Sequence, residues 1–397
     1  MDVRIIFRTE LEMIFEDKVR ESTEARRHTE SSYEFLDRSG RAEFQQVRNL
    51  LNSWIELFPP EERDELVARI RSNDERHFNS ATFEMLLFAI FTNLGCRIEV
   101  HPRLPNDRAS RPDFLVTYPD GQRLYVEAVL ASEFSETEVA ARRRTSVLLE
   151  ALDGLESPNF FIGFTSRGHP DRPPSGKKLK RAISDWLARL DPDAISEEID
   201  NGQPFPTRVW EDDGWRIEIN AFPKRAEKRG LDTRSVGVIS TGVQFASTWK
   251  AIRDAVRHKG GKYGDLDLPL LIAVNVETMS VDRIDEMQAL FGKETFVFDQ
   301  NNLDAEPRMQ REPNGAWVGP RGLQNTRVSG VWIFENALPW NLASRRAVIY
   351  HHPEPRQSLP LQLRDFDHAL AENGCVTWAR GRKIRDALQL SENWPEK

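Results

Sequence analysis

Residues Arg111 to Ser132 read RPDFLVTYPDGQRLYVEAVLAS, two short apolar segments on either side of Pro119-Asp120-Gly121. Proline, aspartate and glycine in succession favour a tight turn between two strands. The pattern therefore predicts a β-hairpin that carries one acid on each strand. Asp113 opens the first strand, and Glu127 lies late in the second.

The second strand of this hairpin, Arg123 to Leu130, has two apolar faces. Side chains alternate along a strand, so Tyr125, Glu127 and Val129 share one face and the apolar residues between them share the other. A strand that is apolar on both sides is typical of the centre of a sheet. Glu127 is therefore predicted to be buried, and strand pairing is expected to bring Asp113 close to it.

A third acid, Glu84, lies in a predicted helix from Phe78 to Leu94 that is apolar on nearly every side. An isolated carboxylate in such a helix costs several kcal/mol unless it is paired, protonated or bound to a cation. One interpretation is a structural ion pair with an arginine, such as Arg71 or Arg111. The other groups Glu84 with the two hairpin acids.

Three neighbouring carboxylates repel one another, and a bound divalent cation relieves that repulsion. The chain contains two cysteines, Cys96 and Cys375, which are too few for a disulfide framework or a cysteine-rich zinc module. A set of oxygen ligands suits a hard cation. The expected cofactor is therefore Mg²⁺ or Mn²⁺, held by Glu84, Asp113 and Glu127.

In this order, Glu84 on a helix, Pro112-Asp113 on the second strand and Glu127 on the third resemble the PD-(D/E)XK nuclease superfamily. The resemblance covers roughly residues 78 to 166. It implies an α/β fold with a restriction-endonuclease-like core of order αβββαβ, in which a helix from Ser135 and the strand NFFIGFTS come last. The whole chain also resembles a group of uncharacterised bacterial proteins that carry RPDFLV, YVEA, KYG and NTRVS, and this likeness implies no function.

In that superfamily the acids hold the metal, and a lysine two residues after the second acid orients the water and stabilises the transition state. This chain has Val129 at that position. Loss of one such donor costs about 2–4 kcal/mol of transition-state stabilisation if nothing replaces it. The resemblance implies a Mg²⁺-dependent nuclease acting on DNA, in defence or repair. Val129 leaves a second hypothesis open, a pseudo-nuclease that binds nucleic acid or a partner protein without cutting.

A replacement for the missing lysine is expected on a later helix. The apolar stripe of this helix runs from Phe245 to Val256 and continues to Lys259, and Lys262 follows after two glycines. Arg144, on the helix after the hairpin, lies four residues before a leucine of another apolar stripe. The order of preference is Lys259, Lys262 and then Arg144, although a lysine at the end of an apolar face commonly points outward.

The chain has 397 residues, of which 39% are hydrophobic and 30% charged, enough for a large core with additions. The expected division is a helical N-terminal segment (1–75), the nuclease core with insertions (76–265) and a C-terminal α/β region (266–397). A net charge of −8 argues against a nonspecific nucleic-acid coat protein but leaves room for local basic clusters. Nucleic acid is the expected partner, with DNA favoured over RNA and a homodimer left open.

Two further features bear on localisation. The longest apolar run, Met85 to Phe91, is far shorter than the roughly 18 residues of a membrane span. The first ten residues, MDVRIIFRTE, mix charges of both signs and lack the apolar segment of a secretory signal. The sequence therefore predicts a cytoplasmic protein with no membrane partner.

Overall fold

Two compact units make up the protein in its computed structural model. Residues 13–106, 108–132, 134, 136–168, 170, 172, 175–212, 215–230, 236–240, 247–278, 281–297, 308–372 and 374–396 are described. The first unit comprises the described residues of 1–24, 31–133 and 247–397, and the second comprises those of 25–30 and 134–246. The predicted boundaries at residues 75 and 265 both fall inside the first unit.

The described residues form a mixed α/β structure. The α-helices are α1 (Ser32–Arg38), α2 (Ala42–Ile55), α3 (Pro60–Arg71), α4 (Glu75–Asn93), α5 (Glu136–Asp153), α6 (Gly176–Leu187), α7 (Pro192–Asp200), α8 (Thr248–Lys262), α9 (Arg283–Phe291) and α10 (Ile384–Ala387). The strands are β1 (Arg97–Val100), β2 (Phe114–Thr117), β3 (Arg123–Ser132), β4 (Phe160–Arg167), β5 (Thr207–Asp212), β6 (Trp215–Pro223), β7 (Val236–Ser240), β8 (Leu270–Glu277), β9 (Glu294–Val297), β10 (Arg308–Arg311), β11 (Val318–Gly319), β12 (Gly322–Leu323), β13 (Val328–Glu335), β14 (Ala347–His351), β15 (His368–Glu372) and β16 (Cys375–Ala379).

The predicted hairpin forms as β2 and β3, which pair antiparallel with Phe114 opposite Val126. Its turn is closed by a 2.8 Å hydrogen bond from the Tyr118 N–H to the Gln122 carbonyl. Gly121 within the turn has a φ of +89°, a conformation that glycine adopts without strain. The hairpin prediction is therefore confirmed.

An eight-stranded mixed sheet in the order β1-β2-β3-β8-β13-β14-β15-β16 is the centre of the first unit. The described residues of α2 and α4 pack on one face, where β3 contributes Leu124 and Val126. Helices α8 and α9 pack on the other face, where β3 contributes Tyr125. The predicted alternation of β3 is confirmed, and β3 is a central strand with a core on each side.

The parallel neighbour of β3 in this sheet is β8, with Glu127 opposite Ile272 and Val129 opposite Val274. Helix α8 lies between β3 and β8 in the chain and contacts both. The element order in the first unit is therefore α4, β1, β2, β3, α8 and β8. The sequence analysis had instead assigned the last two positions to α5 and to β4, the strand NFFIGFTS.

That assignment is corrected because β4 belongs to a different sheet. A four-stranded sheet in the order β5-β6-β4-β7 forms in the second unit, where β4 pairs antiparallel with β6 and parallel with β7. Its described core is separate from the two cores of the first unit and includes Leu152 of α5 and Ile183 of α6. Residues 134–246 thus interrupt the chain between β3 and α8.

Among the helices of the described residues, none is both long enough and apolar enough to cross a membrane.

Candidate functional site

Glu127 is a fully buried carboxylate in the middle of the large sheet, with an exposed fraction of 0%. It lies on the side of β3 that faces α8, whereas its neighbour Val126 belongs to the core on the α4 side of the sheet. A buried carboxylate is costly unless charged or polar groups compensate it. The surroundings of Glu127 supply such groups from a single helix.

Three side chains at the end of α8 surround the Glu127 carboxylate. The Lys259 ammonium forms an ion pair with Oε1, and Lys262 Nζ lies 3.8 Å from the same oxygen. The Tyr263 hydroxyl donates a hydrogen bond to Oε2. Positions i, i+3 and i+4 lie on the same side of a helix, which explains how one turn reaches one carboxylate.

Lys259 and Lys262 therefore lie where the sequence analysis expected a replacement cation, with Lys259 nearer. Tyr263 was not among the predicted site residues. Its position one helical turn after Lys259 was the available signal, since the apolar stripe that directs Lys259 inward directs Tyr263 inward as well. Burial first, and the nearby Glu127 charge second, raise the pKa of Tyr263, so this residue is a neutral donor.

Asp113 immediately precedes β2, and Glu127 lies on β3, the partner strand of the same hairpin. Its Oδ2 accepts a 2.6 Å hydrogen bond from the Ala128 N–H, which fixes the carboxyl against β3. Burial raises the pKa of Asp113 well above its usual range, and the charges of Glu127 and Glu84 raise it further. The surroundings of Asp113 therefore disfavour its negative charge.

Glu84 on α4 is held by an arginine. Arg69 in the last turn of α3 donates to both carboxylate oxygens, with Nη1 2.9 Å from Oε2, and Ser80 donates to Oε1 at 3.2 Å. The sequence analysis had suggested Arg71 or Arg111 for this pair. Arg71 instead donates to the Met13 and Ile14 carbonyls, and Arg111 to the His101 carbonyl.

Arg144, the third candidate cation, belongs to the second unit. Its Nε donates to the Pro170 carbonyl at 2.6 Å. Both residues lie within 134–246, so this hydrogen bond is internal to that unit. The cations at Glu127 come from α8.

The donor set of this site fits a hard divalent cation in its chemistry. Asp113 and Glu127 offer carboxylate oxygens from the two sides of one hairpin. Burial first, and the charges of Glu127 and Glu84 second, raise the pKa of Asp113, and a cation would relieve the repulsion between these charges. Arg69 pairs with Glu84, and Lys259 and Lys262 lie at Glu127. A metal ion at Glu127 therefore has to compete with a lysine.

A separate acidic group lies near Glu84. Glu62, Glu65 and His101 have ligand atoms within 4.8 Å of one another, and among the described residues they are the one group of three that meets this limit. The set Glu84, Asp113 and Glu127 does not. Glu62, Glu65 and His101 line a small cavity together with Arg69 and Glu84.

Comparison with known proteins adds no family to this description. No protein-family model, curated protein or solved structure matches the chain.

Proposed function

We propose that the protein is a Mg²⁺-dependent nuclease acting on DNA, with a PD-(D/E)XK-like site whose lysine comes from α8 instead of β3. The observation that carries the proposal is the Lys259 ammonium on the buried Glu127 carboxylate, beside Asp113. A lysine in this position compensates for Val129.

The order of elements supports the same proposal. Helix α4, strands β1 to β3, helix α8 and strand β8 follow one another in the order expected of a restriction-endonuclease-like core, once residues 134–246 are treated as an insertion. Glu84 lies on the first helix of this order, Asp113 before its second strand and Glu127 on its third. These are the positions on which the resemblance was based.

Each residue has a proposed role. Asp113 and Glu127 would hold the metal ion, which when bound lowers the pKa of a water molecule and neutralises charge on a phosphodiester. Lys259 and Lys262 provide positive charge for the developing negative charge on the phosphate, a contribution of about 2–4 kcal/mol for one well-placed donor. Glu84, paired with Arg69, contributes to the raised pKa of Asp113 through its negative charge.

A pseudo-nuclease is the second candidate, and a specific observation favours it. Both oxygens of Glu127 already have partners in Lys259 and Tyr263, and Glu84 is paired with Arg69. Acids satisfied in this way stabilise a fold without any metal. A chain of this kind would bind nucleic acid or a partner protein without cleaving it.

Cleavage assays distinguish the two candidates. Purified wild-type protein is incubated with plasmid DNA, single-stranded DNA and RNA in Mg²⁺, in Mn²⁺ and in EDTA. The nuclease proposal predicts cleavage of DNA that requires the metal and is lost in Asp113→Asn. Lys250→Met is the matched control, because Lys250 is an exposed lysine on α8, and it should cleave like the wild type. Metal-independent binding without cleavage would favour the pseudo-nuclease.

A further inference from the structure

We infer that Lys259 is an internal counter-ion that a divalent cation displaces from Glu127, while Tyr263 continues to hold this carboxylate. The inference rests on the metal-dependent function proposed above and adds a competition between a lysine and a metal ion for one carboxylate. It also assigns Tyr263 as a positioning residue.

Of the two partners in this ion pair, Lys259 is able to move and Glu127 is not. Glu127 is fully buried on a central strand, so its carboxylate stays in place. The Lys259 side chain is 21% exposed and lies in the last turn of α8, so its flexible stem has a path toward water. Displacement therefore moves Lys259 and leaves Glu127 where it is.

The positive charge of Lys259 opposes a metal ion at Glu127. A lysine ammonium and a divalent cation repel each other when both lie on one carboxylate in a buried site, where charges are only weakly screened. Lys262, at 3.8 Å, remains available as a nearby positive charge. Loss of the Lys259 contact is thus the electrostatic condition for tight metal binding.

Tyr263 differs from the two lysines in charge and in burial. Tyr263 has an exposed fraction of 1% and packs in the core between α8 and the sheet. Its hydroxyl donates to Oε2, whereas both lysines address Oε1. A neutral donor does not repel a metal ion, so Tyr263 has no reason to leave and keeps the carboxylate oriented.

The two contacts therefore have opposite effects on metal affinity. Removing the competitor in Lys259→Met should tighten Mn²⁺ binding at least about ten-fold, within the usual range of coupling between two ligands. Removing the positioning hydroxyl in Tyr263→Phe should weaken it about ten-fold. Lys250→Met, on the exposed side of the same helix, should leave the affinity unchanged.

The experiment is a titration of the metal-free full-length protein with Mn²⁺ at fixed pH, followed by the electron paramagnetic resonance signal of free Mn²⁺. The readout is affinity, so no substrate or activity is needed. Melting temperatures with and without Mn²⁺ provide a second measurement, in which Lys259→Met should be less stable without metal and gain more from it. If Lys259→Met does not fold, Lys259→Gln replaces it.

The outcomes separate the two proposals. If wild type binds Mn²⁺ and Lys259→Met binds it no better, the competition is overturned while the metal site stands. Binding by Tyr263→Phe that is as tight as wild type, or tighter, overturns the positioning role. If neither the wild type nor any variant binds Mn²⁺, both the inference and the metal-dependent function fail.

Discussion

At the scale of single residues, Asp113 and Glu84 lie in one acidic group but differ in their surroundings. Glu84 receives two hydrogen bonds from Arg69. Asp113 accepts one from the Ala128 N–H, and burial and the charges of Glu127 and Glu84 oppose its negative charge more than the Lys259 charge favours it. Removing the charge of each acid should therefore change stability in opposite directions.

Asp113→Asn should stabilise the metal-free protein. The pKa of Asp113 is raised in the folded state, so the folded chain binds this proton more tightly than the unfolded chain does. Wild type therefore loses stability as the pH rises from about 4 through the folded pKa. At neutral pH, Asp113→Asn should have a higher free energy of unfolding than wild type, measured by urea denaturation.

The pH dependence is the internal control of this prediction. The two proteins should be equally stable near pH 4, and the difference should grow only above that pH. A variant less stable than wild type at neutral pH would mean that the Asp113 carboxylate is a structural acceptor first.

Glu84→Gln should destabilise the protein. Arg69 is three-quarters buried, with 23% of its side chain exposed, and would keep only the longer 3.9 Å ion pair with Glu65. We expect a loss of about 1–3 kcal/mol in the free energy of unfolding, because a partly buried guanidinium loses the carboxylate that accepts its two hydrogen bonds. Urea denaturation at neutral pH measures it. A stabilised Glu84→Gln would show that repulsion from Asp113 outweighs the Arg69 pair.

Some of these residue contacts can be predicted from the sequence. The burial of Glu127 follows from strand alternation, and the approach of Lys259 follows from an apolar helical stripe. Both are properties of one element. Arg69 was not predicted as the partner of Glu84, because their meeting depends on how α3 packs against α4, and local periodicity does not fix that packing.

At the scale of elements, α8 determines whether the lysines reach Glu127. The helix approaches the sheet closely at Gly260, where an added Cβ would lie 2.7 Å from Val328 Cγ2. Val328 is buried on β13, and its β-branched side chain is stiff. The following residue, Gly261, is exposed, and a Cβ there would meet nothing within 4 Å.

Gly260→Ala should therefore force α8 away from the sheet. We expect a loss of about 1–3 kcal/mol in the free energy of unfolding from overpacking. Gly261→Ala, the matched control, should stabilise the protein by about 0.5–1 kcal/mol, since alanine favours a helix over glycine. Thermal denaturation of the two variants measures the difference. Equal effects of both substitutions would contradict the close packing of α8.

The element scale also shows where sequence reasoning failed. The elements α5 and β4 were correctly predicted as a helix and a strand, but they were assigned to the wrong sheet. Helical and strand periodicity are local, whereas the pairing of β3 with β8 joins segments separated by an insertion of more than a hundred residues. The run LPLLIAVNV has the continuous apolar pattern of a buried parallel strand, and β8 is buried along nearly all of its length.

At the scale of the whole molecule, the chain interrupts one α/β unit with another. Each unit has its own sheet and its own described core. Composition predicted a large core with additions, but the place of the insertion was not predicted, because no change of composition marks residues 134 and 246. The candidate site is built entirely from the first unit.

The central claim is that α8 supplies the lysine that β3 lacks, and moving this lysine back tests it most directly. Val129 packs on the side of the sheet that faces α8, so a lysine there would project toward the same carboxylate. The measurement is the rate of Mg²⁺-dependent DNA cleavage by wild type, by the double variant Lys259→Met/Lys262→Met, and by that variant with Val129→Lys added.

We predict that the double variant cleaves at least about 100-fold more slowly than wild type, because the positive charge at the phosphate is lost. Adding Val129→Lys to the double variant should raise its cleavage rate at least about ten-fold. Circular dichroism verifies that all three proteins are folded. A double variant that cleaves at the wild-type rate, or a wild type that does not cleave DNA with Mg²⁺, would contradict the account.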